Sequence, residues 1–392
     1  MDTFLEDARR MADQIVANRR TIHGYAELGF DLPKTKAFVM EKLTEYGYDP
    51  QPLGRCGVVC TAGRPGRTIL LRADMDALPM REESGEPFAA DNGHCHSCGH
   101  DCHTAMLLGA AKLLKEREAE LAGTVKFMFQ PAEELLSGAK DMLDSGVLED
   151  PKVDVALALH VMMGMEDSRT GTIRCTRGSV TSSGDAVRIT VKGKDSHGSR
   201  PQLGVDAIHI AAHIVLALEE LTAREIPTDQ DTVVLVGLIQ GGTSCNTVAG
   251  EAVLEVSIRT CGPGERQFLL DRVEAVAKGV AAVFRGEAQV EHMYGSPALV
   301  NDEAMLDDCL GYLGELLPPE DIVKSGKLGG GEDFTMVAER VPSLFLTLGT
   351  GSPEEGYPLF VHNPATRINE AALPVGTAVY AHCATRWLEE HR

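Results

Sequence analysis

The sequence predicts an α/β protein with a mainly parallel sheet, interrupted by a smaller inserted domain of β-α-β-β-α-β order. Three observations predict it. Short apolar runs alternate with helical patterns in the first part of the chain, the order changes near residue 181, and the first pattern resumes after Ser296. The 392 residues also exceed what one hydrophobic core usually organises. The division that follows is a discontinuous main domain, residues 1–180 and 296–392, carrying an insertion at 181–295.

Apolar residues at helical spacing predict helices over 3–20 and 34–46. The apolar β-type run Thr68 to Leu71 ends in Arg72-Ala73-Asp74-Met75-Asp76. Thr104 to Glu118, TAMLLGAAKLLKERE, keeps helical spacing and gathers charge at its end, so it predicts a helix. A strand from Thr124 to Phe129 leads into Gln130-Pro131-Ala132-Glu133-Glu134, and one from Val153 to Leu159 ends at His160. Strands separated by helices argue for parallel pairing.

Beyond residue 181 the order changes. Ala186 to Val191 reads as a strand, Val205 to Leu221 as a helix, and Thr232 to Ile239 and Ala252 to Ile258 as strands. Glu265 to Phe284 then reads as a helix and Glu287 to Glu291 as a last strand, completing the split unit of a ferredoxin-like domain. A strand at Ser343 to Leu348 and a long helix from Glu370 return to the first pattern.

Composition excludes some partners. A net charge of −21 with no basic patch repels nucleic acid and anionic membranes. The opening MDTFLEDARRMADQIVANRR interleaves charge with apolar residues, so it predicts neither a signal peptide nor a membrane span, and cytoplasmic residence is expected. Ten cysteines spread through such a chain are expected as reduced thiols. Cys95 and Cys98 form a C-x-x-C pair that also admits a redox reading, but the histidines around it favour metal binding or simple support.

Those histidines belong to Asp91 to His103, DNGHCHSCGHDCH, which holds four histidines, three cysteines and two aspartates. Thiolate, imidazole and carboxylate are the donors proteins use for zinc and its neighbours. Asp74 and Asp76, Glu133 and Glu134, and His160 each follow closely on an apolar strand, which puts them at the carboxyl ends where open α/β sheets bind ligands. The segment Cys98 to His103 precedes a helix and folds over the same edge. Together they supply more donors than one tetrahedral zinc takes, which suggests two metals sharing a ligand. Of the adjacent Glu133 and Glu134, one can bind metal while the other acts as base; a solvated acidic helix start explains the pair equally well.

The segments LRADMDALP, HSCGHDCHTAMLLGAAKLL, FQPAEE, Leu159-His160, GGEDF and VHNP resemble those of the zinc-dependent aminoacylase and carboxypeptidase family of metallopeptidases. The similarity is greatest to its amidohydrolase branch and spans nearly the whole chain. It implies a zinc-peptidase-like catalytic domain with an inserted lid and dimerisation domain, and hydrolysis of an N-acyl amino acid to a carboxylic acid and a free amino acid. By resemblance the metal ligands are Cys98, His100, Glu134, His160 and His362, with Cys98 by position the bridging candidate. Glu133 is the general base, and Asp76 orients a ligand or tunes that base. Two divalent ions are implied: zinc first, with manganese, cobalt or nickel compatible with the same donors. His94, Cys95, His96, Cys102 and His103 become supporting or packing residues, and Asp101 an orienting partner.

In the insertion, His197 matches a histidine that reaches a neighbouring subunit and steadies the oxyanion, which implies a homodimer or homotetramer. Asn246 and Arg259 match contacts to the substrate carboxylate. Without the resemblance, His197 reads as a surface-loop histidine, Arg259 as a strand-end arginine and His362 as a polar loop residue. Thr247-Val248-Ala249 and Thr366 depart from the family pattern, which leaves the acyl and amino-acid preference open. Three rivals stand beside this reading. They are a dipeptidase or carboxypeptidase of the same superfamily, a non-catalytic zinc module closed by Cys95, Cys98, His100 and His103, and a serine or cysteine hydrolase, for which no G-x-S-x-G elbow is present.

Overall fold

The computed structural model describes residues 3–324 and 326–392. Its strands, in chain order, are β1 Gln51–Leu53, β2 Gly57–Gly63, β3 Thr68–Asp74, β4 Thr124–Gln130, β5 Val155–Met162 and β6 Ile173–Cys175. Next come β7 Gly184–Lys192, β8 Ser196–His197, β9 Val233–Gly241, β10 Thr247–Val248, β11 Glu251–Arg259 and β12 Glu287–Ser296, and finally β13 Ile322–Lys324 and β14 Ser343–Gly349. They belong to two compact units. One comprises Met1–Gly178, Asn301–Gly326 and Met336–Arg392; the other comprises Ser179–Val300 and Lys327–Thr335. That last segment lies in the stretch 296–392, yet Leu328 N–H donates to the Val180 carbonyl at 2.6 Å and Lys327 pairs with Asp231 at 2.6 Å.

The first unit is built on an eight-stranded sheet in the order β1-β2-β4-β3-β5-β14-β6-β13. Its centre is parallel: β3 pairs with β4 and β5, and β14 with β5. Every residue of β3, β4 and β14 is buried, as expected where both faces of a parallel sheet are covered. Antiparallel β1 and β2 extend one edge, and β6 and β13 the other. The sequence reading had no strand at these four, and β1, β6 and β13 have only three residues each, too few to show a period. From β3 the chain goes to β4 on one side, whereas from β5 it passes to β6 on the other. The sheet therefore opens a crevice at the carboxyl ends of β3 and β5.

The first predicted helix divides into Phe4–Arg10 and Ala12–Tyr25, and the second spans Pro33–Glu45. Thr3 and Glu6 form a reciprocal cap at the chain's start. The helix expected from Thr104 begins at His100 and runs to Glu116. Its first turn consists of His100, Asp101, Cys102 and His103, all buried, so its polar residues hid it from an apolar pattern. Gly99 precedes it at φ 90, a left-handed conformation, and a Cβ there would lie 2.2 Å from a Val161 methyl. The C-terminal helix, Leu373–Glu390, carries Tyr380, whose hydroxyl donates to the Arg72 carbonyl at 2.7 Å and accepts from Leu159 N–H at 2.9 Å.

The second unit forms the expected β-α-β-β-α-β order. Its sheet is antiparallel in the order β12-β7-β11-β9, with helices Ala207–Glu220 and Pro263–Val283 between strands in sequence. Burial alternates along β7 and β11, so one face of the sheet is covered. Val187, Ile189, Leu254 and Val256 pack there with Ile210, Ile214, Leu269 and Val273 as a core separate from that of the first unit.

Replacing Tyr380 with Phe strands the Leu159 N–H and removes a donor to Arg72 between two central strands. A loss of about 1–3 kcal/mol is expected, read as a lower urea midpoint with an unchanged slope.

Candidate metal centre

The crevice at the ends of β3 and β5 gathers the polar residues picked out in the sequence. Asp74 closes β3 and Asp76 follows it, both without solvent exposure. Glu133 and Glu134 follow β4 in a turn, not in the helix start that was the alternative reading; the next helix begins at Gly138. His160 lies within β5, two residues short of its end. Cys98 and His100 flank Gly99, and His362 reaches in from a loop at φ 60 with its side chain 49% exposed.

Several trios of donor atoms among the described residues lie close enough to share an ion, and two of them meet at Cys98. Cys98, His100 and His160 form one; Cys98, Glu134 and His362 form the other, and within each trio the ligand atoms lie within 4.8 Å of one another. Cys98 Sγ is 3.5 Å from His160 Nε2, and Glu134 Oε1 is 3.2 Å from His362 Nε2. Two ligands of one tetrahedral zinc would stand about 3.5 Å apart for S and N and about 3.3 Å for N and O. His100 is fully buried, and neither ring nitrogen makes a hydrogen bond. Its Nε2 instead faces Asp74, Glu133 and Glu134 oxygens, each at 3.8 Å. A buried imidazole left in this way among carboxylates fits a divalent cation.

Asp76 organises the carboxylates. Its Oδ1 accepts from Glu133 N–H at 3.0 Å and its Oδ2 from Glu134 N–H at 3.2 Å, while His100 Nδ1 stands 3.4 Å from Oδ1. Asp74 turns the other way. Arg72 pairs with it at 2.8 Å, and His103 Nδ1–H donates to it at 2.5 Å. His103 Nε2 accepts from Val161 N–H at 2.8 Å, so both its nitrogens are engaged away from a metal. The closed module of Cys95, Cys98, His100 and His103 therefore lacks a ligand.

Protonation follows from burial and neighbours. Burial pushes the Cys98 thiol up, and burial with His103 nearby holds His160 well below the usual imidazole range. For His100, burial opposes the charge, but Asp74 and Cys98 raise it well above the usual range. Glu134 is lowered despite burial, because His362 and His100 favour its carboxylate. Burial pushes His96 down to about 3, so it stays neutral.

Asp101 faces elsewhere. Its Oδ2 pairs with Arg19 Nε and His23 Nδ1, each at 2.7 Å, and His23 Nε2 meets Glu82 at 2.9 Å. Arg19 also reaches Glu370 at 3.1 Å. This buried network was not foreseen, since its members lie up to 351 residues apart and no local pattern joins them.

In the second unit, Thr247 of β10 lies opposite His197 of β8, and Gly198 N–H donates to the Asn246 carbonyl at 2.7 Å. His197 and Asn246 are thus neighbours. His197 Nδ1 accepts from the Ser199 backbone N–H at 3.1 Å, so the neutral ring carries its proton on exposed Nε2. Arg259 is not with them. It ends β11, whose nine residues put it about 25 Å from the Asn246 end.

The chain is similar to known proteins over nearly its whole length. The model of peptidase family M20/M25/M40 matches residues 70–386. An N-acetylcysteine deacetylase from Bacillus subtilis is 34% identical over 387 residues, 96% of this chain and 97% of that protein. IAA-amino acid hydrolase ILR1-like 4 from Arabidopsis thaliana is 34% identical over 99% of this chain and 89% of its own. The crystal structure of a dinuclear metal-binding M20 peptidase from Bacillus subtilis superposes with a TM-score of 0.83 at 32% identity, covering 97% of this chain and 99% of that one.

Burial favours the Cys98 thiol over its thiolate, whereas Glu134 is lowered and His160 is held well below the usual imidazole range. Zinc uptake by metal-free protein should therefore release protons, and Cys98→Ser should lower the number released by about one, read by calorimetry in buffers of different ionisation enthalpy. A second expectation concerns His23, whose folded pKa is raised: burial opposes it, but Asp101 and Glu82 prevail. Its stabilising contribution is complete below the usual imidazole pKa of 6.5 and is lost as pH rises through the higher folded value. His23→Gln should flatten the decline of unfolding free energy with pH above 6.5, measured by urea titration.

Proposed function

This chain belongs to peptidase family M20/M25/M40, and on that premise we propose that it hydrolyses N-acyl amino acids to a carboxylic acid and a free amino acid. The observation that carries the reading is the Asp76 clamp: one carboxylate holds the backbone of both Glu133 and Glu134 beside the donors that meet at Cys98. Its support from relatives is that the N-acetylcysteine deacetylase and the IAA-amino acid hydrolase are named for cleavage of this kind.

In this reading Cys98, His100, Glu134, His160 and His362 would hold two divalent ions, zinc being the first candidate. Bound there, the ions supply Lewis acidity for the amide carbonyl and make water easier to deprotonate. The chain's own residues do the rest. Glu133 takes the water's proton and returns it to the leaving amine. Asp76 keeps that carboxylate and its neighbour turned apart, so base and ligand do not exchange roles. Arg72 neutralises Asp74 and His103 donates a hydrogen bond to it, which leaves the other carboxylates to the cations.

His197, with its proton on Nε2, is suited to steady an oxyanion, and Asn246 and Arg259 to grip a substrate carboxylate. One small substrate cannot span the distance between Asn246 and Arg259 of a single chain, so their joint use calls for two subunits. A partner also suits the edge strand β9, where Val233, Leu235 and Ile239 are exposed. We therefore read the protein as a homodimer or homotetramer joined through the second unit. No helix among the described residues is long and apolar enough to cross a membrane, and none of the ten cysteines is in a disulfide, which supports a cytoplasmic setting.

The test is a panel of N-acyl amino acids offered to metal-reconstituted protein. Glu133→Gln should lose activity by about 10²- to 10⁴-fold while keeping both metal equivalents, and Glu134→Gln should lose metal as well. Equal hydrolysis by wild type and Glu133→Gln would end the proposal.

A further inference from the structure

Among the described residues of the first unit, three large hydrophobic side chains are exposed: Leu135 at 61%, Leu136 at 39% and Phe360 at 44%. All three stand within two residues of Glu134 or His362. The contact between those two side chains, 3.2 Å, brings both segments together at the donor cluster. No other large hydrophobic among the described residues of the first unit is as exposed as these three, and exposed apolar groups beside a polar site mark a ligand with an apolar part.

The backbone supports that reading. Leu136 adopts φ 47 and Ala132, in the same turn, φ 53, conformations that bulky L-residues avoid. Leu136 N–H donates to the Glu133 carbonyl at 2.7 Å, and Ser137 and Gly138 N–H both turn back to the Ala132 carbonyl. The turn is thereby fixed with its leucines outward. Leu135 is also seated: its Cδ1 lies so close over Gly29 that a Cβ on that glycine would stand 2.7 Å away. A leucine placed in a conformation suited to glycine, next to the proposed base, is an arrangement that folding alone does not require.

Charge separates the two halves of the substrate. Glu133 and Glu134 adjoin the leucines, and neither 132–137 nor 356–364 contains a lysine or arginine. These two segments therefore offer an amino-acid carboxylate no side-chain cation to pair with, whereas an uncharged hydrocarbon chain needs none. Resting on the amidohydrolase reading above, we propose that Leu135, Leu136 and Phe360 seat the acyl chain, and that the substrates are N-acyl amino acids with a medium-length aliphatic acyl group in preference to acetyl.

The experiment compares N-acetyl-, N-hexanoyl- and N-decanoyl-methionine on the metal-loaded full chain. The value of kcat/KM should rise by about tenfold or more from acetyl to decanoyl. Leu135→Ser should cut the decanoyl-to-acetyl ratio at least about threefold. Leu136→Gly should do the same, and it places at φ 47 the residue that adopts it freely, so its fold is secure. Val283→Ser, which removes an exposed side chain of the second unit, should leave the ratio where it was. Decanoate binding, followed by calorimetry, should weaken in both leucine variants. A flat or falling chain-length dependence, or a ratio that neither variant moves, overturns the proposal. If no N-acyl amino acid is cleaved at any length, the amidohydrolase reading fails; decanoate binding lost in the variants would still uphold the seat, and binding unchanged would remove it.

Discussion

Asp74 and Asp76 stand at the end of a central strand with no exposure to water, and a buried carboxylate must be met by hydrogen bonds or by positive charge. The surrounding elements are arranged to meet it. Arg72 and His103 answer Asp74, and the backbone of Glu133 and Glu134 answers Asp76. Because these partners come from three elements, satisfying two charges ties β3, the turn after β4 and the helix beginning at His100 into one body. Further carboxylates then face His100, and a cation is what that geometry still accepts.

The same rule operates behind the crevice. Asp101, on the helix's first turn, is held by Arg19 and His23, and His23 in turn by Glu82. Arg19 and Arg20 both continue to Glu370, just before the C-terminal helix. Breaking such a buried set leaves uncompensated charge, so it resists small displacements even where its net contribution to stability is modest. The loop carrying Cys98 and His100 therefore rests on a rigid base. Tyr380 extends the base by bridging β3 and β5 from the same C-terminal helix.

The second unit follows a different logic. Its core is self-contained, and the side chains proposed for substrate contact sit at strand ends and in short ribbons rather than in a buried network. The ribbon β8 and β10 brings His197 and Asn246 together, and the Ser199 N–H sets the imidazole tautomer. Arg259 is carried to the far end of β11. The length of one strand thus separates residues that the sequence alone leaves equivalent.

Much of this was legible in the chain itself. The central strands and the β-α-β-β-α-β order appear as hydrophobic periodicity, and Asp74, Asp76, Glu133, Glu134 and His160 are readable as groups near strand ends. The short edge strands were not, because three residues carry no period, and neither was the polar first turn at His100. Asp101 showed the limit most clearly: beside the metal candidates in sequence, it points to Arg19 and His23. The sequence by itself determined which donor atoms the chain owns and near which edge they gather, since periodicity is a local property. Only the tertiary structure decided which of them remain free to bind, because hydrogen bonds between residues far apart in sequence occupy both nitrogens of His103 and leave both of His100 open.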